Sequence, residues 1–199
     1  MESRINKGMA NPFEQIRANS SDQRKSMDWY QREVRKIASG INTPSKAMAS
    51  DLGKVETGRP EIGSMYMFLY DPKHKATLPY YDSFPLVLPY EDASGGFYGL
   101  NLHYLPHILR GELLGALLET KDTKTYGPDT VMRYSWDILQ RAARFPGVKP
   151  TVHRYLYSQI RSRLIKVNPE DWKAAIFLPV EQFVGASKTK IYSDSRARM

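Results

Sequence analysis

Apolar residues follow two different rhythms along this chain. Between Met65 and Tyr104 they come in short dense runs, at 65–70, 84–88 and 97–104. Each run is strand-length and rich in aromatic and aliphatic side chains that suit a pleated surface. Asp71-Pro72-Lys73 and the stretch from Asp92 to Gly96 separate them with turn chemistry. In the third run, Tyr98, Leu100, Leu102 and Tyr104 form an apolar face opposite Phe97, Gly99, Asn101 and His103. Pro85 and Pro89 flank the second run, which places it at a sheet edge or beside a bulge. The expectation is a small antiparallel β unit, a meander or an SH3-like half-barrel.

Elsewhere the rhythm is helical. Met27, Tyr30, Val34 and Ile37 recur at spacings of three and four inside 22–39, behind the cap candidates Ser20, Ser21 and Asp22. Six glycines and prolines punctuate residues 40–64, a linker pattern that separates this helix from the rest. After Pro106, Leu105, Ile108, Leu109, Leu113, Ala116 and Leu117 predict a helix. Val131, Tyr134, Ile138 and Leu139 mark another, after Asp129. Tyr155, Leu156, Ile160 and Leu164 mark a third, over 152–167. Asn168-Pro169-Glu170 starts a short helix with Trp172, Ala175 and Ile176 on one side. The chain thus divides into an arm (1–62), a β unit (63–105), a helical subdomain (106–184) and a basic tail (185–199). The fold class is α+β with extended N- and C-terminal arms.

Charge sharpens this picture. The net charge of +8 over 199 residues is distributed as +4 in 1–60, −2 in 61–144 and +6 in 145–199. Basic ends favour nucleic acid or acidic protein surfaces; the alternative is a solubilising surface. With no cysteine, disulfides, zinc-thiolate sites and thiol nucleophiles are excluded. No apolar run approaches the length of a membrane span, and MESRINKGMANPF has no apolar signal core.

No catalytic constellation, cofactor loop or metal cage is expected. His103 and His107 stand four apart, but Pro106 lies between them and no acid completes a ligand set. Asp71 and Asp82 bracket DPKHKATLPYYD and read as turn aspartates. Gly95-Gly96 lacks the Gly-Lys-Ser/Thr and following helix of a phosphate loop. What remains is surface chemistry. Ten large rings between Tyr66 and Tyr104 exceed what a forty-residue β unit can bury alone. Tyr80, Tyr81 and Phe84 are therefore candidate partner anchors, with Lys188, Lys190, Arg196 and Arg198 of the tail. Arg154, Arg161, Arg163 and Lys166, opposite the apolar stripe of the 152–167 helix, are candidate DNA contacts; a solvated face is the alternative.

The phrases MYMFLYDPKHKATLPYYDSFPLVLP, GGFYGLNLHYLP and NPEDWKAAIFLPVEQFVGAS, in this order, resemble a family of large, mostly contractile-tailed bacteriophages of the T-even type. The resemblance covers roughly 63–195 and not the first sixty residues. Family members are virion structural or morphogenesis proteins, some described as DNA end protectors. The resemblance implies a non-enzymatic virion component, made in the host cytoplasm, that holds neighbouring subunits together in the tail, baseplate or neck. The alternative it implies is a DNA-binding morphogenesis factor that protects or contacts the packaged genome end. The implied partners are other virion proteins, a symmetric ring of the same chain, or DNA, with no membrane and no cofactor.

Overall fold

A computed structural model describes residues 58–121, 137, 139, 140 and 148–198. The expected helix over 22–39 and nearly all of the one after Asp129 lie outside these residues, although Leu139 is fully buried in the core.

Five strands form one antiparallel sheet: β1 (Met65–Met67), β3 (Leu86–Ala93), β4 (Gly96–Asn101), β5 (Val152–Leu156) and β6 (Ile165–Val167), in the order β5-β4-β3-β1-β6. A two-stranded ribbon, β2 (Tyr81–Asp82) with β7 (Phe183–Val184), lies apart from it. Helix α1 spans His107–Lys121, α2 Trp172–Ala175 and α3 Lys188–Ala197.

The α+β class is present, and the three expected apolar runs supply a meander, β1-β3-β4, at the sheet centre. Its boundaries differ from expectation. β3 runs on to Ala93, and its register shifts between Pro89 and Glu91, so the proline sits at a bulge on a central strand. A proline cannot donate to the ladder, and the bulge absorbs that loss. The Pro89 carbonyl accepts from Gly63 N at 3.1 Å.

The predicted 152–167 helix is not formed. This stretch is β5, a 3-10 turn at Tyr157–Gln159, and β6, which flank the meander on opposite sides. Tyr155, Leu156, Ile160 and Leu164 mimic a helical stripe because two short strands joined by a turn reproduce spacings of four. The β-branched and aromatic content of VHRYLY and LIKV was the contrary signal.

Both faces of the sheet are covered, which is why residues 65–68 are continuously apolar rather than alternating. On one face Met65, Met67, Leu86, Leu88, Leu100, Ile165 and Val167 pack against Leu105, Leu114, Trp172, Ala175 and Ile176. On the other, Tyr66, Phe68, Val87, Phe97, Tyr155 and Leu164 form an aromatic cluster. There Phe68 meets Tyr155 edge to face at 5.3 Å, and Phe97 stacks on Tyr155 at 5.4 Å. Phe97, placed on the polar face by simple alternation, is therefore core. So is Ile108 not: expected inward, it is 77% exposed.

The Asn168-Pro169-Glu170 signal opens a 3-10 turn at Pro169–Asp171, without a side-chain cap bond from Asn168, and Trp172 begins α2 directly after it. It is buried, and its Nε1 donates to the Val167 carbonyl at 2.9 Å. The expected basic tail is different. Ser187 caps α3 by accepting from Lys190 N, Ile191 and Ser195 are buried, and Lys188 pairs with Glu181. Apolar Ile191 and amphipathic Tyr192 give this basic stretch enough to dock, so it belongs to the folded body.

Candidate functional site

Two polar clusters lie inside the fold. In the first, Asp82 at the end of β2 is buried among four donors. Its Oδ1 accepts from Phe84 N at 3.0 Å and Gln182 N at 3.1 Å. Its Oδ2 accepts from Asn101 Nδ2 at 3.2 Å and lies 2.6 Å from His103 Nδ1. Burial pushes the carboxyl up, but the attraction and hydrogen bond of His103, with the bonds from Phe84 and Asn101, outweigh it and hold Asp82 below its ordinary value. Burial holds the His103 imidazole below its own ordinary value, against the pull of Asp82 and with the help of Arg110. The pair is thus a carboxylate facing the Nδ1 edge of the imidazole. His103 Nε2 has no hydrogen-bond partner among the described residues. With no hydroxyl on that nitrogen, this Asp–His pair has no nucleophile to activate. It fixes β2 against the end of β4.

In the second, Arg110 of α1 is fully buried. Its Nε donates to the Leu105 carbonyl at 2.7 Å, Nη1 to that of Ile176 at 2.9 Å, and Nη2 to that of His103 at 3.0 Å and to Tyr192 Oη at 2.6 Å. Carbonyls at the ends of short helices carry partial negative charge, which suits a guanidinium. Sequence inspection passed over Arg110 because one arginine in an amphipathic helix reads as surface.

The surface chemistry lies elsewhere. The β3–β4 turn is tight: Ala93 pairs with Gly96, and Gly95 sits at φ +70°. A Cβ at Gly96 would fall 1.9 Å from the Tyr155 carbonyl oxygen, so glycine is what lets β5 approach. Beside this turn lies a groove of about 800 Å³, lined by Arg59, Asp92, Ser94, Gly95, Tyr157 and Arg163 among others. Arg154 of β5 clamps the turn from the adjoining side, donating from Nη2 to the Ser94 carbonyl at 2.7 Å.

Of the candidate DNA-contacting residues, the fold brings Arg154 and Arg163 to this turn and adds Arg59, which sequence reasoning missed. They share no helix face, because no helix exists there. Arg161 is exposed but faces Asp71 at 3.8 Å. Lys166, on β6, bonds Glu61 at 2.5 Å.

Of the candidate partner anchors, Phe84 is fully buried in the core. Tyr80 and Tyr81 are half-buried and line a smaller cavity with Tyr70, Tyr104, His153 and Tyr155. Lys188 is half-buried, Lys190 bonds Asp194 within α3 at 3.0 Å, and Arg196 and Arg198 are exposed. Burial holds the Tyr104 and Tyr155 phenols well above their ordinary value, so they stay neutral.

Among the described residues, no group of three or more acidic or histidine side chains is placed to hold a metal, and no helix is long and apolar enough to cross a membrane. Fold and surface together define a mixed α+β protein with an arginine-rimmed groove and polar clusters that are structural rather than catalytic. Residues 9–198 match the model of the family described as phage T4 terminal DNA protecting protein, and the chain belongs to that family, a non-enzymatic phage protein family. The match includes most of the N-terminal region that the resemblance of the three phrases left out. No curated protein and no solved structure matches the chain.

Proposed function

We propose that this protein binds the termini of the packaged phage DNA and shields them, with Arg59, Arg154 and Arg163 meeting phosphates along the groove beside the β3–β4 turn. The observation that carries this is the meeting of Arg59 and Arg163, from separate stretches of chain, on one concave surface, with Arg154 bound to the Ser94 carbonyl at its rim, in a chain whose family is described by terminal DNA protection. Phosphate contacts by arginine position a nucleic acid without reading its sequence, which suits a protein that must accept whatever sequence lies at an end. Of the two expectations drawn from the sequence, this supports the DNA-contacting one over a linker between tail, baseplate or neck subunits.

The test is digestion of linear blunt-ended duplex by an exonuclease in the presence of the protein. Protection should appear near one protein per end, and covalently closed circular DNA of equal mass should compete poorly. Absence of protection, or equal competition by circles, would overturn the assignment to ends.

A further inference from the structure

The smaller cavity, about 180 Å³, is lined by Arg154, which also bonds Ser94 of the groove. For scale, an engineered cavity of about 150 Å³ admits a benzene ring. Its walls carry the rings of Tyr70, Tyr80, Tyr81, Tyr104 and Tyr155, and Arg154 lines it directly. Arg198, at the end of α3, lies close enough to act electrostatically on Tyr80, Tyr104 and His153. Exposed Leu78 is at its edge, so the cavity opens to the surface. Aromatic faces with flanking cations are what one unstacked nucleotide requires: rings for the base and guanidinium groups for its phosphate. Arg154 belongs to both features, since it lines the cavity and holds the Ser94 carbonyl at the groove's rim.

We propose that the tyrosine-lined cavity seats the base of an unpaired terminal nucleotide, while Arg154 and Arg198 flank its phosphate and the duplex lies along the adjoining groove. The inference rests on the DNA-end reading and deepens it, because only an end supplies an unpaired base at little cost. Freeing a base within a duplex costs several times the thermal energy, and freeing one at an overhang costs almost nothing. The cavity would thereby tell an end from the middle of a duplex.

The experiment uses the full chain and hairpin duplexes with one open end, bearing no overhang, a single unpaired nucleotide, or the same overhang with an abasic sugar. A fourth hairpin carries 2-aminopurine as the unpaired base. The base-bearing overhang should bind about tenfold tighter than the abasic one, the size expected for one base–aromatic stack, and 2-aminopurine fluorescence should be quenched on binding. Tyr81→Leu should abolish both differences and Tyr81→Phe retain them, while Arg163→Ala should weaken all hairpins alike. If ends are bound but the abasic overhang binds equally and 2-aminopurine stays bright, the cavity proposal falls and the groove reading stands. If no hairpin is bound better than a closed dumbbell of the same sequence, both fall.

Discussion

Asp82 reads in the sequence as an ordinary turn aspartate two residues after Tyr80, yet its buried carboxylate joins four other residues. Removing its carboxylate strands the buried donors of Phe84, Asn101 and His103. Truncating one partner of a buried charged network costs about 3–5 kcal/mol, so Asp82→Ala should lose that much in denaturant unfolding; a loss below about 1 kcal/mol would refute the role given to it. His153 makes a pH prediction. Burial holds its pKa down to about 4, against an opposing pull from Asp82. The unfolded state, titrating near 6.5, then binds more protons than the folded state between those values, so stability falls as pH drops from about 6.5 to about 4, by about 3 kcal/mol in all. His103 acts in the same direction. The Asp82 carboxylate loses its own contribution only at lower pH, below its ordinary value near 3.8. His153→Gln should reduce the slope of the upper window in melts across pH, leaving the part due to His103 and the loss below pH 4. Neither the aspartate nor the histidines were legible as a cluster, because Asp82 meets Asn101 and His103 only through tertiary packing, and His153 joins them only once β5 is known to be a strand.

At the scale of elements, α3 carries the largest revision. A basic stretch with one isoleucine and one tyrosine looks like a tail by composition, since what it docks on is invisible in its own sequence. Here the receiving surface is Arg110, whose guanidinium bonds Tyr192 and lies 5.9 Å from that ring. A chain ending at Gly185 would lose this partner and expose the contacts of Ile191. It should be destabilised by about 3 kcal/mol or more, read as a lowered melting temperature and earlier urea midpoint. An unchanged melting temperature would return this segment to the status of a free arm. Trp172 was legible for the opposite reason: Pro169 opens the 3-10 turn that leads into its helix, and the large apolar ring is buried as its size predicts. The central meander was legible too, because apolar runs between strong turn signals leave little choice. β5 and β6 were not, because short strands carry too few residues for period two to be distinguished from period 3.6.

For the molecule as a whole, charge is the property that sequence reported correctly in sum and incorrectly in place. The +6 of residues 145–199 is real, but it is spread between a groove rim, an ion pair with Glu61, a pair with Asp71 and the exposed end of α3. If Arg59, Arg154 and Arg163 each neutralise one phosphate, the logarithm of the duplex binding constant should fall with the logarithm of salt at a slope of about −2.7. Arg163→Ala should reduce that slope by about one unit. A slope that Arg163→Ala leaves unchanged would place the DNA elsewhere on the surface.

The sheet order also governs when this protein can become itself during synthesis. β1 is translated early, but one of its two neighbours is β6, near the other end of the fold. Arg110 receives its phenol later still, from α3. A nascent chain on the ribosome would therefore hold an unpaired strand edge until residues 165–167 are made, and a guanidinium lacking its phenol until Tyr192 follows. Truncated products should be recognisably unfinished and open to proteolysis.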